Sequence, residues 1–217
     1  GGGGGRLING RPPQDRPYAI ACDFGYGVGA SNTVFSAGDA ESRHKIMEYV
    51  SPFIAPEEAA RLVCAAGIWI GGLGGFPLVN FESNGPGQNF IKQLLSLRYP
   101  RVYIASESAV KVGAGSDETY GWHSSPDAKT AMLGEYRAAL GGGRFRNPSA
   151  AALKECLGYF VDKFGRVVTQ YDLTKHTVGE DVARTPHGDR VIADGLLHQA
   201  YPQAGRVKAE LAGPAVG

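Results

Sequence analysis

The apolar run Tyr18-Ala-Ile-Ala-Cys22 ends on a charge, Asp23, followed by glycines at positions 25, 27 and 29. A strand that is apolar throughout, rather than alternating, belongs inside an α/β sandwich. The glycines mark a turn at its end where backbone or a ligand can approach closely. Two further strands are expected at Thr33-Val-Phe35 and at Lys45 to Val50, which alternates polar and apolar. Together the three predict an antiparallel meander. Pro56, followed by Glu57 and Glu58, marks a helix start, and the apolar pattern carries that helix to Ala66. A fourth strand, Pro77-Leu-Val-Asn-Phe81, ends on Glu82 and runs into a Gly/Pro turn.

Beyond Gly87 the pattern Phe90, Ile91, Leu94, Leu95 has helical spacing, and Val102-Tyr-Ile104 reads as a short strand. Helices are predicted over 126–140, stopped by Gly141-Gly-Gly143, over 148–157, and over 189–200, with a hairpin between them at 160–171 around Lys163-Phe-Gly165. The order defines an α/β fold with a mixed sheet flanked by helices and an additional β-hairpin. Trp69 and Trp122 are expected in its core. The 217 residues suit one domain. Glycine numbers 32, about twice the usual share. Some of it lies at the edges, and residues 1–17 read as a linker-like segment, 18–201 as the domain and 202–217 as a flexible tail.

A net charge of +1 excludes histone-like attraction of the whole surface to nucleic acid but leaves room for a local basic face. The three cysteines, Cys22, Cys64 and Cys156, stand in no metal or disulfide pattern and fit a reducing compartment. No apolar run is long enough for a membrane span. Gly71-Gly-Leu-Gly-Gly75 lacks the lysine of a phosphate-binding loop, and the glycines 25, 27 and 29 precede a strand-like run rather than a dinucleotide-binding helix.

Three carboxylates stand out by their surroundings. Asp23 and Glu82 each close a buried strand, and Asp189 lies in the first turn of the last helix, in Pro186-His-Gly-Asp-Arg190. If the first and fourth strands are neighbours, their ends coincide and the last helix can bring Asp189 against them. Clustered carboxylates repel one another unless a cation neutralises them, and hard oxygen ligands suit Mg²⁺ or Mn²⁺. Two such ions about 3.5–4 Å apart can activate water and stabilise the leaving oxygen of a phosphodiester. Taken singly, each acid reads equally as a turn, capping or surface residue.

The strings Cys22-Asp-Phe-Gly-Tyr-Gly27, Phe81-Glu-Ser-Asn-Gly-Pro-Gly87 and His187-Gly-Asp-Arg-Val-Ile-Ala-Asp-Gly195 resemble, in order and spacing, the nuclease domain of the tailed-phage large terminase subunit. Tyr120 to Thr130 and Leu153 to Val168 are similar to further segments of that family, so the resemblance spans residues 18–200. It implies an RNase H-like fold and a metal-dependent endonuclease that cuts concatemeric phage DNA during genome packaging, with little sequence preference. Asp23, Glu82 and Asp189 would be the catalytic acids and metal ligands, with Asp23 bridging two Mg²⁺ or Mn²⁺ ions. Some members carry two adjacent aspartates where this chain has Gly188-Asp189, and some an extra acid shortly after the first, where residues 24–32 have none. The implied partners are double-stranded DNA, a packaging ATPase domain of the same full-length protein, the portal and the small terminase subunit, in the host-cell cytoplasm and with no membrane. The linker-like start favours a fragment of a longer protein. Another RNase H-like nuclease, such as a junction resolvase or an RNase H, and a non-catalytic portal or terminase docking module are the alternatives.

Other residues carry weaker expectations. His187 could act on water or phosphate, or be a turn histidine. Asn84 could orient the Glu82 loop or touch a phosphate, and reads equally as a turn former. Asp194 lies five residues after Asp189, roughly 140° around the helix, and reads as a solvated or hydrogen-bonded acid. Lys129, Arg144, Arg146, Lys163, Arg166, Lys175, Arg184 and Arg190 could line a DNA groove, since phosphate contacts need charge but no sequence code.

Overall fold

A computed structural model describes residues 10–25, 31–105, 120–169 and 188–212. Its main sheet has four strands in the order β3-β2-β1-β4. These are β1 (Tyr18–Asp23), β2 (Thr33–Asp39), β3 (His44–Ser51) and β4 (Leu78–Phe81). The meander pairs antiparallel from β1 through β3, whereas β4 lies parallel to β1, with Ala19 opposite Leu78 and Cys22 opposite Phe81. The expected strand at 102–104 is reduced to isolated bridges, Val102 to Val79 and Ile104 to Tyr120.

Every residue of β1 is buried, because its side chains alternate between two cores. Tyr18, Ile20 and Cys22 pack with α1 (Pro56–Ile70) and α2 (Gly87–Ser96) on one face. Ala19 and Ala21 pack on the other against α3 (Pro126–Gly141) and the last helix, α5 (Asp189–Ala212). Each large aliphatic side chain sealed in these layers contributes about 1.5–3 kcal/mol. Between α3 and α5 come α4 (Ala150–Cys156) and the separate hairpin of β5 (Tyr159–Val161) and β6 (Val167–Thr169). Helices α3 and α4 start on signals visible in the chain. Ser125 and Ser149 accept backbone N–H bonds at 3.2 Å from Ala128 and Ala152, capping α3 and α4.

Three expectations need correction. Residues 10–17 are fastened to the body rather than free. Gln14 donates to the Ile70 carbonyl at 2.8 Å, Tyr18 donates to that of Pro13 at 2.8 Å, and Arg16 pairs with Asp39 at 2.8 Å. The segment from Pro202 to Ala212 is helix, not tail: Tyr201 and Ala204 are buried on either side of Pro202 and carry α5 past it. Trp69 is 39% exposed instead of core, and its ring N–H donates to the Gly10 carbonyl at 3.0 Å. Trp122 is buried as expected. The three cysteines are free thiols, and no helix among the described residues is long and apolar enough to cross a membrane.

Candidate active site

The parallel pairing of β1 and β4 decides where two of the acids go. Asp23 is the last residue of β1, Glu82 follows β4, and the Glu82 N–H donates to the Cys22 carbonyl at 3.1 Å. Both carboxyls therefore leave the same edge of the sheet. Glu82 is held from its other side by a bridge to Trp122, and the Ser83 N–H donates to the Trp122 carbonyl at 2.8 Å. Asn84 locks the same loop: its amide donates to the Ser124 carbonyl at 3.1 Å and its Oδ1 accepts the Ser124 N–H at 2.7 Å. Gly87 starts α2 so close beneath the loop that a Cβ there would collide with the Glu82 carbonyl oxygen.

Asp189 opens α5 and reaches the same place from the other face of the sheet. Its Oδ2 accepts from the Asn32 N–H at 2.7 Å and from the Asn32 side-chain amide at 3.1 Å, just ahead of β2. Asp23 and Asp189 are 8% and 7% exposed, buried enough to feel each other strongly. Burial pushes the Asp23 carboxyl well above the usual range, and the charges of Glu82 and Asp189, with a hydrogen bond to Glu82, push the same way. Lys129, half-buried in the first turn of α3, opposes the shift. The structure thus brings the three predicted acids together, with Lys129, one of the expected DNA-groove residues, beside them.

Among the described residues no three histidine, cysteine or acidic side chains stand as a ready-made ligand group. The reason is local. Asp189 is turned to Asn32, and Asp23 lies beside Glu82. Three clustered carboxyls, with Asp23 and Asp189 buried and Glu82 half-buried, nonetheless fit a hard divalent cation, which relieves their mutual repulsion.

The remaining candidates divide. Arg144, Arg146 and Lys163 are exposed, and Lys163 lies over the Phe164 ring at 5.0 Å. Arg166 pairs with Asp162 at 2.7 Å inside the hairpin turn. Arg190 is held by Glu48 at 3.0 Å and by Glu155. His187, Lys175 and Arg184 lie outside the described residues. Asp194 is fully buried and hydrogen-bonded, not solvated: Lys45 and Ser36 each lie 2.6 Å from its Oδ1 and Asn147 is 2.7 Å from its Oδ2. Asn32, Lys45, Glu48 and Glu155 are absent from the sequence-based set because each acts through a contact made far along the chain.

No family model and no curated protein sequence matches the chain. Solved structures do. The magnesium-bound large terminase nuclease from thermophilic phage G20c is similar over 86% of this chain and 82% of its own, with a TM-score of 0.58 and 18% identity. The large terminase nuclease domain of Thermus phage P74-26 is similar over 86% and 80%, with a TM-score of 0.58 and 15% identity. The cobalt-bound G20c nuclease matches over 85% and 81%, at 0.55 and 17%. This chain therefore has the RNase H-like α/β fold of the large terminase nuclease domains.

Proposed function

We propose that this chain is a metal-dependent endonuclease acting on double-stranded DNA, the cutting domain of a viral genome-packaging machine. One observation carries the reading: Asp23 and Glu82 leave adjacent parallel strands side by side, with Asp189 brought against them from α5, in a fold that terminase nucleases share. Asp23, Glu82 and Asp189 would together hold two Mg²⁺ or Mn²⁺ ions. When bound, the divalent ions supply water activation and charge stabilisation at the scissile phosphate.

The chain's own residues have distinct tasks. Asn84 and the Trp122 backbone keep Glu82 at the sheet edge, and Asn32 holds Asp189. Lys129 places a positive charge beside the acids, where it can meet a phosphate oxygen of the substrate. Arg144, Arg146 and Lys163 offer exposed charges for backbone contacts that carry no sequence information. The low sequence specificity expected of such a cutter follows from that kind of grip. A packaging ATPase domain in the same full-length protein, the portal and the small terminase subunit are the partners this reading brings, and the host-cell cytoplasm is its setting.

The test is cleavage of supercoiled plasmid by the purified chain with Mn²⁺, Mg²⁺ or EDTA, beside Asp23→Ala and Asp189→Ala. Metal-dependent nicking and linearisation that both substitutions abolish supports the reading. No cutting and no heat of metal binding would turn it toward a docking module.

A further inference from the structure

Three carboxylates pressed together repel one another, so the one carried on a helix needs something to keep it from swinging away. Asp189 is the first residue of α5, and its neighbour Arg190 is tied down twice. The Arg190 N–H donates to Glu155 Oε2 at 3.0 Å and its guanidinium pairs with Glu155 Oε1, so α4 both caps the helix and neutralises its first cation. The Arg190 Nε donates at 3.0 Å to Glu48 Oε1 on β3, which also accepts from the Ser149 hydroxyl at 3.1 Å.

The chain of ions continues inward. Lys45 is 2% exposed, and its ammonium lies 2.6 Å from Glu48 Oε2 and 2.6 Å from Asp194 Oδ1. Asp194 is on α5 again, four residues after Arg190 and hence on the same side of the helix. The helix is therefore gripped at two points one turn apart on one side, while Asp189 projects about 100° round from Arg190. Two anchors on one side resist rotation of the helix about its axis, the motion that would carry Asp189 away from Asp23.

We propose that the partly buried ion network Glu155–Arg190–Glu48–Lys45–Asp194 positions Asp189 for cation binding, so that Arg190 is a positioning residue and not a DNA contact. The inference rests on the reading of Asp189 as a ligand. A network of this kind adds little stability over an apolar replacement, yet holds its partners in one geometry. That geometry matters here, because a misplacement of about 1 Å at a reacting centre can cost on the order of 10²-fold in rate.

The experiment compares the native chain with Glu155→Gln, a mild change that keeps the side-chain shape, and Arg190→Met. Three quantities are read: the NMR signal of the Asn32 amide, which reports its bond to Asp189 without metal or DNA; Mn²⁺ affinity by calorimetry; and DNA affinity in EDTA by fluorescence anisotropy. The expected result in both variants is a displaced Asn32 amide signal and Mn²⁺ binding weakened by about 10–100-fold, with DNA affinity unchanged. An unmoved Asn32 amide with native Mn²⁺ affinity overturns the proposal, and a loss of DNA affinity confined to Arg190→Met makes Arg190 a phosphate contact instead. A native chain that takes up no Mn²⁺ and cuts no DNA defeats the nuclease reading, and the Asn32 amide then still decides whether the network places Asp189.

Discussion

Asp23 and Glu82 are placed side by side by strand pairing alone. β1 and β4 run parallel with Cys22 opposite Phe81, and the Glu82 N–H closes onto the Cys22 carbonyl at 3.1 Å. An antiparallel β4 would send its C-terminal acid to the far edge of the sheet. The direction of this one strand, set by the helix α1 that returns the chain between β3 and β4, is what makes a carboxyl centre available.

Asp23→Asn separates stability from function. In the native protein without metal, burial and two neighbouring carboxyls raise the Asp23 pKa, so its ionised form is disfavoured and the site is strained. The amide removes that repulsion. The expected outcome is a metal-free protein more stable by on the order of 1 kcal/mol, read by thermal unfolding in EDTA, with metal-dependent cleavage lost. A less stable variant that still cuts would contradict both halves.

Gly188 defines why this chain carries a single aspartate at the start of α5. Its φ is +78°, and a Cβ there would collide with the Tyr159 hydroxyl, which also donates to the Gly188 carbonyl at 3.1 Å. Gly188→Asp, which would pair two acids as in some members of the resembled family, is expected to cost about 2 kcal/mol or more from strain and displacement of Tyr159. Urea unfolding measures it. Combining Gly188→Asp with Tyr159→Ala should lose less than the two single changes added together, since the collision is then gone.

Asp23 and Glu82 were legible as candidates because each closes an apolar strand ahead of a glycine-containing turn, Asp189 because it opens the last helix after Pro186-His-Gly188, and the family resemblance joined the three. The network behind them was not. In a regular strand Lys45 and Glu48, three residues apart, face opposite sides. The pairing of Lys45 with Gly38 and of Met47 with Ala37 leaves Ile46 as an extra residue, and this bulge turns Lys45 toward Glu48 and α5. A bulge leaves no local mark in the sequence. Pro202 misled in the opposite way. It carries the usual signature of a helix end, but Tyr201 and Ala204 are buried by tertiary contacts that local composition does not reveal.

Lys45→Met tests the cost of leaving buried acids without their cation. Asp194 would keep its bonds to Ser36 and Asn147 but lose the ammonium 2.6 Å away. Removing one member of a buried pair costs about 3–5 kcal/mol. Joining Lys45→Met to Asp194→Asn removes both charges and should recover part of that loss. Guanidinium unfolding of the two variants beside the native chain is the check, and equal losses in both would show that the charge pair is not the source.

Asp39 makes the fold sensitive to acid at the end of the sheet away from the three carboxyls. Burial works against its ionisation, but bonds from the Arg16 guanidinium, the Ser42 hydroxyl and the backbone N–H groups of Glu41 and Ser42 outweigh it and hold its pKa below the ordinary value. A carboxyl whose folded pKa lies below its unfolded one, about 3.9, contributes its stability in full above that unfolded value. The contribution is lost as pH falls through the folded pKa, because the unfolded chain takes up the proton first. Asp39→Asn should therefore be less stable than the native protein at pH 7, by about 1 kcal/mol for the lost charge-assisted bonds, and the difference should shrink as pH falls below the unfolded value and through the lowered folded one. Urea unfolding of both proteins across that range measures the gap, and a gap that stays constant with pH would remove Asp39 as its source.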